Sequence, residues 1–432
     1  MDVVKILYHY LRTKKRTFST REELAGFQYK MIEKHLAFVR ASSLFYRNLK
    51  ELPLMNKQKM MDHFDELNTV GISKEEAFKV ALQAENTRDF SPTIGEITVG
   101  LSSGTSGNRG IFLVSKEERL MWAGIILAKA LPKGILTKQR IAFFLRANSN
   151  LYSSVSSKRI SFGFYDLLDE PDAHLTRLND TQPDVLVAPP SMMRYLAEQK
   201  KRGQLRISPI KVITVAEVLD PLDEAVIQEG FNQQVHQIYQ CTEGFLATTC
   251  SHGTLHLNED LVKIDKKFLD NEKTKFHPII TDFTRKTQPI IRYELNDILT
   301  LKEKPCPCGS VMTAIEQIEG RSDDLFYFPK RGGAGVKAVF PDFIRRAVIT
   351  ADDRIEEYKV IQTSPSQLHI HMKTKCDRAE VEAKVREGIL EVLESQGCEI
   401  PVFHFLDYQF KPGDKKLRRV ERTYSIDECG DL

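Results

Sequence analysis

The 432-residue sequence is marked first by what it does not contain. No apolar run approaches the roughly 18 residues that a membrane-spanning helix needs. Residues 1 to 16, MDVVKILYHYLRTKKR, interrupt their apolar positions with charges too often for the core of a secretory signal. Neither sign of charge dominates: 62 basic against 59 acidic side chains leave a net +3. That balance gives no support for nucleic acid or an anionic membrane as the main partner. There is no internal repeat and no low-complexity tract. A cytoplasmic protein is expected. Its seven cysteines (Cys241, Cys250, Cys306, Cys308, Cys376, Cys398 and Cys429) are then reduced, so any cluster among them points to metal or chemistry rather than disulfides.

What is present reads as two or three domains of ordinary composition, 41% hydrophobic and 28% charged. Residues 1–87 read as mostly helical. Apolar residues recur at helical spacing in LAFVRASSLFYRNL, and Ser73 with Glu76 three places on forms a capping-box pattern. Short β-like runs follow (EITVGLSS, IFLVS, RIAFFLRA, RISFGFYDL, DVLVAPP, IKVITVAE, QVHQIYQ), separated in places by helical stretches such as SKEERLMWAGIILAKALP and PSMMRYLAEQKKRG. Strand–helix alternation predicts an α/β domain with a largely parallel sheet over 88–250. Residues 250–322 are strand-rich. Residues from about 324 onward mix strands (EYKVIQ, QLHIHMK) with the helix DRAEVEAKVREGILEVLESQG, for which Gly397 is a good residue just past the end.

The stretch LSSGTSGNRG, residues 101–110, is too polar and too rich in glycine for a core. It is either a mobile hairpin or a device that wraps an anion with amides and hydroxyls. It is not a P-loop: no Lys-Ser or Lys-Thr follows Gly110, and the next segment, IFLV, is strand-like, with a helix starting only near Ser115. It is not a dinucleotide fingerprint either, because no G-x-G-x-x-G is present. The loop therefore sits between two strands.

Three further stretches come in order: YQCTEGF (Tyr239–Phe245), PIIRYELNDI (Pro289–Ile298) and IEGRSDDLF (Ile318–Phe326). Each alone has a plain reading. Glu243 could be a surface carboxylate, Asp297 a turn residue, Arg321 and Asp323 a solvated charged loop. Taken together, in this order and at these intervals, they resemble the adenylate-forming superfamily of acyl-CoA synthetases, adenylation domains and luciferases. SSGTSG is similar to its S-S-G-T-[ST]-G phosphate loop, YQCTEG to Y-G-x-T-E, IRYELND to Y-R-x-x-D, and GRSDD to the G-R-x-D-D hinge. KPGDKKLRRV resembles the G-K-x-x-R-V ending that carries a catalytic lysine. The resemblance spans about residues 100 to 420. Within it, CPCGS and HLNEDLV look most like phenylacetate–CoA ligases and coenzyme F390 synthetases, including F390-synthetase-related adenylate-forming enzymes.

The resemblance implies a large, multi-subdomain α/β N-terminal domain, 1–322, that binds ATP and acid, and a small, mobile α+β C-terminal domain, 323–432, with the hinge at Asp323. It implies ATP-dependent activation of an aryl or medium-sized carboxylic acid to an acyl-adenylate. Transfer to a thiol of CoA or of an acyl carrier protein, with release of AMP, would follow. AMP transfer to a hydroxyl, as in F390 synthetases, is the alternative outcome, and a non-enzymatic ATP-binding protein a third. Ser102, Ser103, Gly104, Thr105, Ser106 and Gly107 are expected around the β- and γ-phosphates. Arg109 stands near the place of a lysine found in many relatives, and guanidinium binds phosphate well. Glu243 is expected on Mg²⁺, Thr242 on the α-phosphate, Asp297 and Arg321 at the ribose, and Tyr239, Ala216 and Glu217 beside the adenine. Lys416 is the expected catalytic lysine, with Lys415 its competitor because a lysine replaces the usual preceding glycine. A homodimer is left open.

Cys306 and Cys308 form a tight C-x-C pair, and Cys250 precedes His252 and His256. Two ligands from each region could hold Zn²⁺ tetrahedrally. The resemblance to phenylacetate–CoA ligases favours Cys250, His256, Cys306 and Cys308, with His252 as the alternative fourth ligand. The acid is expected between the segments Val185–Met193, VAEVL and QIYQC, with Phe162, Phe164 and Tyr165 as candidate walls and Arg146 and Asn148 as candidate polar contacts.

Overall fold

The computed structural model describes residues 2–102, 110–145, 156–170, 172–321, 324–410 and 417–424. Six helices precede the first strand, Asp2–Lys15 through Lys74–Thr87. Their starts follow from the sequence: Thr20, Ser43, Asn56 and Ser73 each accept a backbone N–H of the first turn with a side-chain oxygen. Ser73 supplies this half of the expected box. The reciprocal box, both legs present, forms instead at Ser115 and Glu118, at the start of helix Lys116–Ala130.

A 12-stranded sheet organises the chain. Ile160–Asp166, Gln139–Leu145, Val185–Ala188, Lys211–Thr214 and Val235–Cys241 run parallel, the arrangement expected for 88–250. The sheet continues antiparallel through Gly244–Thr249, Leu255–Leu257, Ala314–Arg321, Asp297–Leu301, Lys275–Asp282 and Val262–Phe268. One core lies on one face of the parallel strands, around Phe144, Leu186, Met192 and Leu196. Another lies under helix Lys116–Ala130, around Leu127, Ile141, Val185 and Ile213. The N-terminal helices pack on the antiparallel part through Tyr46, Phe64, Leu246 and Tyr293.

The glycine-rich loop springs from a separate antiparallel sheet, in which Leu101 pairs with Ile111. From Phe326 onward the chain has its own core, built on Phe326, Phe328, Tyr358, Ile370 and Ile389. There a four-stranded sheet, in the order Val402–Asp407, Gln367–Thr374, Ile355–Ser364, Val420–Arg422, is accompanied by helices Pro341–Ile349 and Arg378–Ser395. Among the described residues no helix is long and apolar enough to cross a membrane.

Candidate active site

Strand Val235–Cys241 is where the sheet changes character. It pairs parallel with Lys211–Thr214 on one side and antiparallel with Gly244–Thr249 on the other. The turn Thr242–Glu243 that ends it stands at the carboxyl end of the parallel strands, where open α/β sheets present ligand crevices. The Thr242 hydroxyl donates to Glu243 Oε2 at 2.8 Å, and the Tyr293 hydroxyl donates to Oε1 at 2.9 Å. Burial first, then the Glu243 charge, push the Tyr293 hydroxyl far above its ordinary range, so it is a fixed neutral donor. Arg285 Nη1 donates to the Thr242 carbonyl at 3.0 Å and Nη2 to the Leu113 carbonyl at 3.2 Å, tying this turn to the strand that follows the glycine-rich loop.

A second polar group stands beside it. Asp297 and Arg321 are cross-strand partners, and Arg321 Nε lies 3.7 Å from Asp297 Oδ1. The Tyr239 hydroxyl donates to Asp297 Oδ2 at 2.5 Å. Glu217 follows Ala216, whose φ is +69°. Its Oε2 accepts the Ser191 N–H at 3.2 Å, at the amino end of helix Pro190–Lys201, a favourable place for a carboxylate. Its Oε1 accepts the Leu417 N–H at 2.8 Å. At the neck of the loop, the Ser102 N–H donates to the Gly110 carbonyl at 2.7 Å and the Gly110 N–H to Ser102 Oγ at 2.8 Å.

Ser102, Ala216, Glu217, Tyr239, Thr242, Glu243, Asp297 and Arg321 all line one cavity of about 1190 Å³. Ser103, Gly104, Thr105, Ser106, Gly107, Arg109, Arg146, Asn148, Asp323, Lys415 and Lys416 lie outside the described residues. Tyr293, Arg285 and Asp282 also line it, and none of them had an expected role. Tyr293 was in plain view inside IIRYELND. Asp282 is buried, and burial raises its carboxyl to about 6 against the opposing hydrogen bond from Thr284 and the Arg285 charge. It carries no sequence signal beyond its place at the end of a strand.

Of the expected acid-pocket walls, Phe162 lines the cavity and Phe164 and Tyr165 do not. Successive strand residues face opposite sides. Tyr165, 1% exposed, therefore points into the other core, stacked on Phe144 at 4.7 Å.

Away from this cavity, Cys250, His256, Cys306 and Cys308 bring their four ligand atoms within 4.8 Å of one another. Cys250 Sγ lies 3.7 Å from Cys306 Sγ, and Cys308 Sγ lies 3.3 Å from His256 Nε2. These separations match the edges of a tetrahedron with metal–sulfur bonds of about 2.3 Å and a metal–nitrogen bond of about 2.0 Å. His256 Nδ1 sits 3.1 Å from the Met312 carbonyl, which leaves Nε2 as the ligand nitrogen. For Cys306, burial raises the thiol, but hydrogen bonds from Thr254 and the Cys308 backbone outweigh it and bring it down to about 6. Burial pushes Cys308 up to about 11. His252 is not in the group: it is exposed, and only its backbone N–H reaches Cys250 Sγ, at 3.4 Å.

No family model matches the chain. Two curated proteins do: protein CapK of Staphylococcus aureus, 25% identical over 216 residues, and a phenylacetate–coenzyme A ligase of Thermus thermophilus, 24% identical over 228 residues. These matches cover 47% and 49% of this chain, and 48% and 47% of the relatives. The chain thus spans about half the length of the curated relatives it matches. Among solved structures, 2-hydroxyisobutyryl-CoA ligase in its postadenylation state superposes with a TM-score of 0.66 at 15% identity, over 95% of this chain and 91% of that one. The fold is that of the adenylate-forming CoA ligases, and about half of the chain is similar in sequence to the two curated proteins.

Proposed function

We propose that the chain uses ATP to convert a carboxylic acid into an acyl-adenylate with loss of pyrophosphate, and then passes the acyl group to a thiol, that of CoA or of a carrier protein's phosphopantetheine, releasing AMP. One observation carries this reading. The Thr242–Glu243–Tyr293 and Tyr239–Asp297–Arg321 groups share a cavity with the neck of the glycine-rich loop, and apolar residues of helix Lys116–Ala130 and of the facing sheet line another part of it. Attack of a carboxylate on the α-phosphorus builds negative charge on phosphate oxygens, which needs donors and cations fixed in advance. Glu243, aligned by Thr242 and Tyr293, is suited to Mg²⁺, a hard cation that supplies charge neutralisation when bound. Asp297, held by Tyr239 and Arg321, is suited to a vicinal diol such as the ribose. Thr242 faces the α-phosphate, and Ala216 and Glu217 border the adenine. Ser102, Ser103, Gly104, Thr105, Ser106, Gly107 and Arg109 serve the β- and γ-phosphates. Lys416 supplies the cation at the α-phosphate, and Asp323 marks the hinge between 1–322 and 323–432. Cys250, His256, Cys306 and Cys308 hold a structural Zn²⁺. CoA as acceptor is supported by the matched phenylacetate–coenzyme A ligase and 2-hydroxyisobutyryl-CoA ligase.

Carboxylate-dependent exchange of pyrophosphate into ATP tests the reading. We expect exchange in the wild type, and a loss of at least about 100-fold in Glu243→Gln or Lys416→Ala, the scale of removing one preorganised charge contact. An undiminished rate in both variants would overturn the assignment. AMP left covalently on the product, rather than released, would move the second step to a hydroxyl acceptor.

A further inference from the structure

The cavity has two chemically distinct parts. Its charged residues gather at the carboxyl ends of the parallel strands, and behind them an arm runs down between helix Lys116–Ala130 and the sheet. One wall is the helix face carrying Met121, Trp122, Ile125, Ile126, Ala130 and Leu131. The other is the sheet face carrying Ile141, Phe143, Phe162, Val185, Val187 and Ile213. These described wall residues are hydrocarbon or aromatic throughout.

Two lengths can be read from the walls. Both Leu145 and Ile141 line the cavity, four residues apart on one strand, which is about 13 Å at the strand rise. Met121 and Leu131 line it ten residues apart along the helix, which is about 15 Å. At ordinary carbon–carbon bond lengths a fully extended saturated chain of about ten to twelve carbons covers that distance. The total volume, about 1190 Å³, exceeds the roughly 300–1,000 Å³ of a pocket for one drug-sized ligand, so the cavity has room for more than a nucleotide. A single aromatic ring would leave the inner arm vacant and its lining without contacts, whereas a flexible alkyl chain fills it and gains with every methylene.

From these dimensions and this lining we infer that the acid activated here is an unbranched fatty acid of ten or more carbons. The inference deepens the acid-activation reading above and rests on it. The carboxylate sits at the polar end near Thr242, and the tail runs inward past Trp122 and Ile126 towards Ala130.

The test is pyrophosphate exchange across straight-chain acids of four to eighteen carbons, with benzoate and phenylacetate alongside. The expected kcat/KM climbs about fourfold per methylene until the arm is full, peaks at ten or more carbons, and is at least tenfold lower for hexanoate and both aryl acids. Ile126→Trp blocks the arm near its middle and Ala130→Phe near its inner end. Both should lower the dodecanoate-to-hexanoate ratio, Ile126→Trp further than Ala130→Phe. Because the ratio is taken within one preparation, a partly folded variant still gives a valid answer. Exchange that is strongest with an aryl or short acid, or flat across chain length, overturns the inference and leaves acid activation standing. Exchange with none of the acids overturns both.

Discussion

At the scale of single residues, the site depends on side chains that hold other side chains. The Tyr293 hydroxyl donates to Glu243, so Tyr293→Phe removes one 2.9 Å hydrogen bond with little change in shape. A hydrogen bond to a charged group is worth about 1.5–3 kcal/mol, so kcat/KM for ATP should fall about 10- to 100-fold. Steady-state kinetics at varied Mg²⁺ check this, and an unchanged KM for ATP–Mg²⁺ would separate Tyr293 from the metal. Asp282 makes a prediction about pH. Its carboxyl is raised from 3.8 to about 6. Between roughly pH 4 and pH 6 the unfolded chain gives up this proton while the folded chain keeps it, so the contribution to stability present at lower pH is lost as pH rises. Asp282→Asn keeps an oxygen for Thr284 and carries no proton to lose. Calorimetry should find it level with wild type near pH 4 and more stable near pH 7.5, by at most about 3 kcal/mol. Glu243, Asp297 and Tyr239 were legible because they lie inside short patterned motifs. Asp282 and Arg285 were not, because their roles arise only when strands distant in sequence become neighbours.

At the scale of elements, most boundaries were legible where caps and breakers announce them. Gly397, at φ +68°, ends helix Arg378–Ser395 as its position suggests: its N–H reaches Glu394 O and the Cys398 N–H reaches Leu393 O, each at 2.9 Å. Packing between elements was not legible. Gly124, inside WAGIILA, is where the N-terminal helix Asp2–Lys15 crosses helix Lys116–Ala130. A Cβ there would lie 2.6 Å from the Ile6 carbonyl oxygen and 2.7 Å from His9 Cβ. Gly124→Val should force the two helices apart, cost about 1–3 kcal/mol, and expose residues 1–15 to protease. Thermal melting with timed proteolysis measures both. On helix Lys116–Ala130, Met121, Trp122, Ile125 and Ile126 line the cavity.

At the scale of the whole molecule, the core that begins at Phe326 is joined by buried charge to helices Pro190–Lys201 and Pro221–Phe231. Asp223, 1% exposed, accepts from Arg194 Nη1 at 3.0 Å and from Arg419 Nη2, while Arg419 Nη1 donates to the Tyr358 carbonyl at 2.9 Å. Asp220 accepts from the Tyr358 hydroxyl at 2.6 Å, with Arg345 Nε at 3.6 Å. Asp223→Ala would leave two buried guanidinium groups without their shared carboxylate. Denaturant unfolding should show a loss of about 3–5 kcal/mol, against a much smaller change for removing an exposed pair such as Lys5–Glu117. The Asp220–Tyr358 and Asp223–Arg419 contacts were invisible in the sequence because their partners are 138 and 196 residues apart.

The Cys–His group has a consequence that lies in chain statistics. Its members are 52 and 56 residues apart in their closest pairs, and the chain between them carries Asp282, Tyr293 and Asp297. An ion held there closes a long loop and removes several kilocalories of freedom from the denatured ensemble, about 4 kcal/mol by analogy with a covalent cross-link of that span. The ion would thus act on nucleotide binding from a distance, by keeping a wandering segment in register.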